Sequence, residues 1–397
     1  MRGFIATLLG LVLMGGGLWV ALRESADPRL QPEGAAIEAP RSDLVASRRP
    51  ATVDEQDASA DDDLRRWTLQ NNEACGLLDE GELDQAIALL EECVEARPDQ
   101  QLFASNLARA LYRRATYEYD RAGGNREAAL ADIIRAVQLD PDDEAIAQLL
   151  ERWERMAAVE QDFAGFDSMR FNLSFDGDRT DLVGGWQDVV DVLEGAYGEF
   201  WIFFSHDPVL VADERIRVVL YERDQFHQAT GLGHWAGGAF DGVIRILVDD
   251  LRSQRGAWTR TVRHELAHAF VASLGGRGVP GWLNEGVAQW LEADGASAGD
   301  RERDLRSAEL RLGGHPLRPL ADLSGSFSAL GEAEAISRAY AESLLLVDYI
   351  VRFHGERFLA DLVSASSRGS TAAEEFEQRL GYPLERLLED LAAELDR

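Results

Sequence analysis

His264-Glu265-Leu266-Ala267-His268 constrains this chain more than any other stretch of its 397 residues. On a helix, residues four apart share one face, about 6 Å apart along the axis. Two imidazoles so placed can reach a single ion at roughly 2.0–2.1 Å each, as zinc asks of its nitrogen ligands. Glu265 falls on the adjoining face, where it can take a proton from a water that the ion activates. Val262, Leu266, Ala269, Phe270 and Leu274 recur at helical spacing around the pair, so the helix has an apolar stripe to bury.

A zinc site of this kind needs a third protein ligand. The Gly-rich stretch 275–279 ends the first helix, and Pro280 suits the start of a second. Leu283, Val287, Trp290 and Leu291 again follow a helical period. Sixteen residues separate His268 from Glu285. A short turn there lets the second helix pack on the first and offer Glu285 to the same ion; an ordinary surface carboxylate is the other reading.

The paired segments, His264 to His268 and Pro280-Gly-Trp-Leu-Asn-Glu-Gly-Val-Ala288, resemble the gluzincin branch of the zinc metallopeptidases in the peptidase MA-like superfamily. The resemblance implies an α+β catalytic domain of zincin type, a mixed sheet with active-site helices. It implies Zn2+ held by His264, His268 and Glu285, Glu265 as general base, and a peptide or protein substrate. It extends over about residues 166–395 and is tight only over 258–292.

Two strands precede the helix. Residues 215–221 alternate as a strand should, and 237–249 read as a turn followed by a second strand. In peptidases of this type a strand ahead of the active-site helix forms the cleft edge and pairs with an extended substrate. Gly237, Gly238, Ala239 and Phe240 are the substrate-binding candidates, with a hairpin of the core sheet as the alternative. In related enzymes a tyrosine opening a later helix donates a hydrogen bond to the tetrahedral intermediate, an oxyanion-hole role. Tyr340 is the match, or a tyrosine that simply packs at a helix start. The Gly-x-Met-Glu-Asn segment by which a large aminopeptidase family reads a free α-amino group is missing, which favours an endopeptidase.

The flanking regions set organisation. Phe4 to Leu22 is free of charge and just long enough to span about 30 Å of hydrocarbon. With Arg2 before it and no convincing cleavage site after it, residues 1–23 read as an uncleaved anchor. The bulk of the chain is then extracytoplasmic on a single-pass anchor, or secreted if the segment is a cleaved signal. Residues 24–63 are rich in Pro, Ala, Ser and charge and read as a disordered tether.

Residues 64–163 are strongly helical. Ala74, Gly81, Ala86 and Pro98 match a tetratricopeptide unit, and Gly124, Ala129 and Pro141 repeat its second half. The prolines lie 43 residues apart, against a repeat of about 34, which implies an insertion around residues 113–123. This all-α region is expected to precede a catalytic domain at 166–397 long enough to bury its own core. It either recruits a protein partner on a concave face or acts as a helical spacer. Cys75 and Cys93 fall on the two helices of the first unit, as a disulfide or as two buried thiols.

A net charge of −31, with every one of the 40 basic residues an arginine, argues against nucleic acid and anionic lipid surfaces as partners. The reading from another class is a scaffold, with partner-binding repeats and a non-catalytic peptidase-like domain.

Overall fold

The computed structural model describes residues 62–120, 124–208, 215–232, 236–294 and 299–395. The anchor expected at 1–23, and the tether up to residue 61, lie outside them. Among the described residues no helix is long and apolar enough to cross a membrane.

Five helices come first: α1 (Asp62–Glu80), α2 (Leu83–Ala96), α3 (Gln101–Asp120), α4 (Arg126–Leu139) and α5 (Glu144–Glu160). Each packs on the next. Ala74, Ala86, Ala110, Ala129 and Ala136 are buried between them, and such small side chains let axes approach. Gly81 takes φ +87 in the α1–α2 turn, a conformation that favours glycine. Asn125 and Asp143 cap α4 and α5 through their side-chain oxygens. Cys75 and Cys93 form no disulfide; both are buried thiols, each pushed up to about 11 by burial.

The sheet contains β1 (Phe163–Asp167), β2 (Phe171–Asp176), β3 (Ile216–Tyr221), β4 (Gly238–Phe240) and β5 (Ile244–Leu247), in the order β1-β2-β3-β5-β4. The two outer pairs are antiparallel and the two inner pairs parallel. α6 (Thr180–Phe204) crosses from β2 to β3, as a parallel pair requires, and α7 (Arg223–Thr230) follows β3. Of the two readings of residues 237–249, the structure shows the hairpin, with Gly242 at φ +98 between β4 and β5, and not a turn followed by one strand.

The sheet is covered on both faces. Val218, Leu220, Ile244 and Ile246 point to one side, where α6 and α8 (Arg255–Gly275) bury them with Leu193, Phe200, Val262 and Phe270. Beyond α8 stand α9 (Gly281–Asp294), α10 (Asp300–Leu312), α11 (Ala333–His354), α12 (Glu356–Val363), α13 (Ala372–Leu380) and α14 (Arg386–Leu395). Val219, Tyr221, Ala239 and Leu247 point to the other side. They share one apolar cluster with Leu149, Trp153 and Met156 of α5 and with Leu78 and Leu90 further out. β3 therefore does not alternate in burial; Arg217 through Tyr221 are all buried. Two-sided burial produces the near-continuous apolar run that this strand carries. The boundary expected near residues 164–165 falls inside β1, and the helical region packs into the same core as the sheet.

Candidate metal centre

α8 is buried along its middle, where every residue from Val262 to Val271 except His264 is buried, between the sheet on one side and α9 on the other. Trp258 anchors its first turn by donating Nε1–H to the Leu251 carbonyl at 2.8 Å. Arg263 reaches across to the Leu291 carbonyl of α9 at 2.9 Å, fixing one helix against the other. α9 begins just after Pro280, whose carbonyl accepts from Leu283 and Asn284 at 3.0 Å each. Gly286 lets α9 meet α11 at backbone distance, since a Cβ there would overlap the Ser343 carbonyl.

These contacts bring His264, His268 and Glu285 together, their potential ligand atoms all within 4.8 Å of one another. The two Nε2 atoms are 3.1 Å apart, and Glu285 Oε2 is 3.6 Å from each. Ligand atoms around a tetrahedral ion with 2.0–2.1 Å bonds are separated by about 3.3 Å. The triangle has that size.

The protons point the same way. His264 Nδ1 faces Glu292 Oε2 at 2.7 Å, and His268 Nδ1 faces Asn284 Oδ1 at 3.0 Å. Both partners are acceptors, so both Nδ1 atoms carry hydrogen and a neutral ring keeps its lone pair on Nε2. Two lone pairs and a carboxylate oxygen then converge, and Glu285 Oε2 is buried without accepting a hydrogen bond. Acceptors pressed together are relieved by a bound cation or by protons on the rings. Burial pulls the His264 and His268 imidazoles down, but Glu285 and Glu265 beside both, with Glu292 beside His264, outweigh it, so both stand above their ordinary range. The donor set of two imidazoles and one carboxylate, with space for a fourth ligand, suits zinc.

Glu265 is buried and makes no hydrogen bond with a described residue; burial raises its carboxyl above the usual range, partly countered by the two histidines. Opposite it lies Gly238, where a Cβ would come 2.7 Å from Glu265 Oε1 and 2.5 Å from Thr261 Cγ2. The space at Gly238 is thus filled by side chains of α8. Gly237 lies beside Thr261, and its carbonyl accepts from Leu247 at 2.8 Å. Ala239 turns away into the helical layer, while Phe240 packs on the α8 side. Tyr340 stands in the second turn of α11 or beyond, not at its opening, with its ring edge-on to Phe327 at 5.1 Å. Burial, then the nearby charges of Glu285, Glu265 and Glu292, hold its phenol well above the ordinary range.

Sequence reasoning missed the residues that hold the ligands. Glu292 accepts from Arg260 at 2.5 Å, and Arg260 also reaches Asp304 of α10 at 2.7 Å. Helical spacing held the signal: Glu292 lies seven residues after Glu285 and Arg260 four before His264, on the same faces.

Residues 209–396 match the model of the Peptidase MA superfamily. The match spans β3 to α14 and so takes in the whole cluster, and it supports a peptidase domain with peptide or protein substrates. No curated protein matches the chain.

Proposed function

We propose that the chain is a zinc-dependent endopeptidase, held at a membrane by its N-terminal segment with its folded part outside the cytoplasm. The observation that carries the chemistry is the convergence of His264 Nε2, His268 Nε2 and Glu285 Oε2, with both Nδ1 atoms already engaged.

His264, His268 and Glu285 would hold the ion, and Glu292 and Asn284 fix the two rings in the tautomer that leaves Nε2 free to bind. Zinc, when bound, supplies a Lewis acid that lowers the pKa of water and polarises a peptide carbonyl. Glu265, its carboxyl raised by burial, takes the proton from the attacking water and returns it to the leaving amine. Tyr340, whose phenol burial and the charges of Glu285, Glu265 and Glu292 keep protonated, would donate a hydrogen bond to the developing oxyanion. β4 offers its outer edge to an extended peptide. The five helices, read as tetratricopeptide-like, would recruit a protein partner.

The test is cleavage of casein and of unstructured peptides by purified protein, with and without a chelator. Cleavage abolished by the chelator and restored by Zn2+ is expected. Cleavage that persists in the chelator removes the metallopeptidase reading.

A further inference from the structure

A buried charge network on the second face of the sheet connects the helical region to the cleft edge. Glu160, the last residue of α5, accepts from Arg217 Nη2 at 2.5 Å, from Tyr221 Oη at 2.5 Å and from Arg245 Nη1 at 3.1 Å. Arg245 also donates to Tyr221 Oη at 2.7 Å and lies 3.3 Å from Asp241 Oδ1. Both guanidiniums are 1% exposed. Arg245 is the direct cross-strand partner of Ala239, and Asp241 closes the β4–β5 turn by accepting from the Val243 amide at 3.3 Å.

β4 has three residues and one hydrogen-bonded neighbour, β5. Such a strand has little of its own to hold it. One side of it, through Ala239, is packed in the helical-layer cluster; the other, at Gly238, touches Thr261 and Glu265. The distance between β4 and the general base is therefore set from behind. A helix C-terminus is a poor place for a carboxylate, since the dipole there is negative. Glu160 is at such an end, and the guanidiniums of Arg217, Arg245 and Arg126 offset the cost.

We infer that Glu160, acting through Arg245 and Asp241, is a positioning residue for the substrate-binding strand β4, so that the helical region is a working part of the cleft. The inference rests on the peptidase reading above for its function and on contacts alone for its geometry. Glu160 lies outside the stretch that matches the superfamily model, so this support is supplied by the chain's own helical region.

Glu160→Gln removes the charge, and Tyr221→Phe removes only the bridging hydroxyl. Both are compared with wild type as the zinc-loaded full chain, by calorimetric binding of a peptidyl hydroxamate and of acetohydroxamate. The first ligand needs β4 and the ion; the second needs the ion alone. Glu160→Gln should keep its zinc and its affinity for acetohydroxamate but lose about tenfold or more for the peptidyl ligand, a scale typical of small misplacements. KM for a peptide should rise by a similar factor with kcat little changed. Amide exchange at residues 238–240, read without ligand, should quicken. If Glu160→Gln does not fold, Tyr221→Phe decides, with about a threefold loss expected for the peptidyl ligand alone. Unchanged peptidyl affinity together with unchanged exchange in a folded variant overturns the inference. A wild-type chain that binds neither hydroxamate breaks the peptidase reading instead, and amide exchange still shows whether Glu160 holds β4.

Discussion

The two faces of the sheet each carry a buried polar cluster, and the clusters differ in kind. Behind the sheet, Glu160 and Asp241 meet Arg217, Arg245 and Arg126, so both carboxylates face guanidiniums. In front, among the described residues, Glu265, Glu285, Glu292 and Asp304 stand against one guanidinium, Arg260, which pairs with Glu292 and Asp304. Their two histidines, when neutral, present lone pairs to the centre. A cluster whose carboxylates all face guanidiniums holds elements together; an acceptor excess that has been buried at a cost in desolvation is prepared for a cation. Burial alone would not have separated the two, because the side chains of both are mostly covered. The sign of what is left over does.

The comparison breaks first, and with the largest effect, if the rear face is dispensable. A fragment of residues 166–397 would uncover Val219, Tyr221, Ala239 and Leu247, leaving Arg217 without Glu160 and Arg245 with Asp241 alone among the carboxylates. It should be insoluble or lack a cooperative unfolding transition, where the chain with α1 to α5 shows one by circular dichroism. A soluble, cooperative fragment would make the rear cluster an accessory.

In the front cluster, Glu265→Gln should keep zinc and lose about two to four orders of magnitude in peptide cleavage, the usual reach of general-base catalysis. Cleavage at the wild-type rate would assign the proton transfer elsewhere. Glu292→Ala leaves the ligands in place but releases His264 Nδ1 and Arg260. Zinc affinity, measured by competition with a chromophoric chelator, should fall by about 10–100-fold. The smallest effect concerns the helix crossing behind the ligands. Gly286→Ala should cost about 1–3 kcal/mol in denaturant unfolding, because the Ser343 backbone cannot yield to a new methyl as a flexible side chain would.

The front cluster was largely legible in the amino-acid sequence, the rear one hardly at all. His264, His268 and Glu285 lie within one helix–turn–helix, so helical periodicity and a short turn suffice to bring them together. Glu160, Arg217 and Arg245 come from a helix and two strands far apart in the chain, and no local period joins them. The apolar run of β3 held the clue to two-sided burial, and reading it as alternating hid the second face. The hairpin at 237–249 was one of two readings, and the sequence could not decide between them for a similar reason: β4 is only three residues long, too short to show a pattern before Gly242 turns the chain. The role of Gly238 was also out of reach, since the neighbour it makes room for is Glu265 on a helix 27 residues away.

The central claim is that the front cluster is a zinc site built from three side chains. Metal content of the purified full chain by mass spectrometry, beside that of His268→Ala, tests it most directly. We predict about one zinc per wild-type chain and loss of most of it in the variant, since two remaining ligands do not complete a site. Wild-type protein that holds no zinc after dialysis against excess Zn2+, or a variant that keeps a full equivalent, would contradict it.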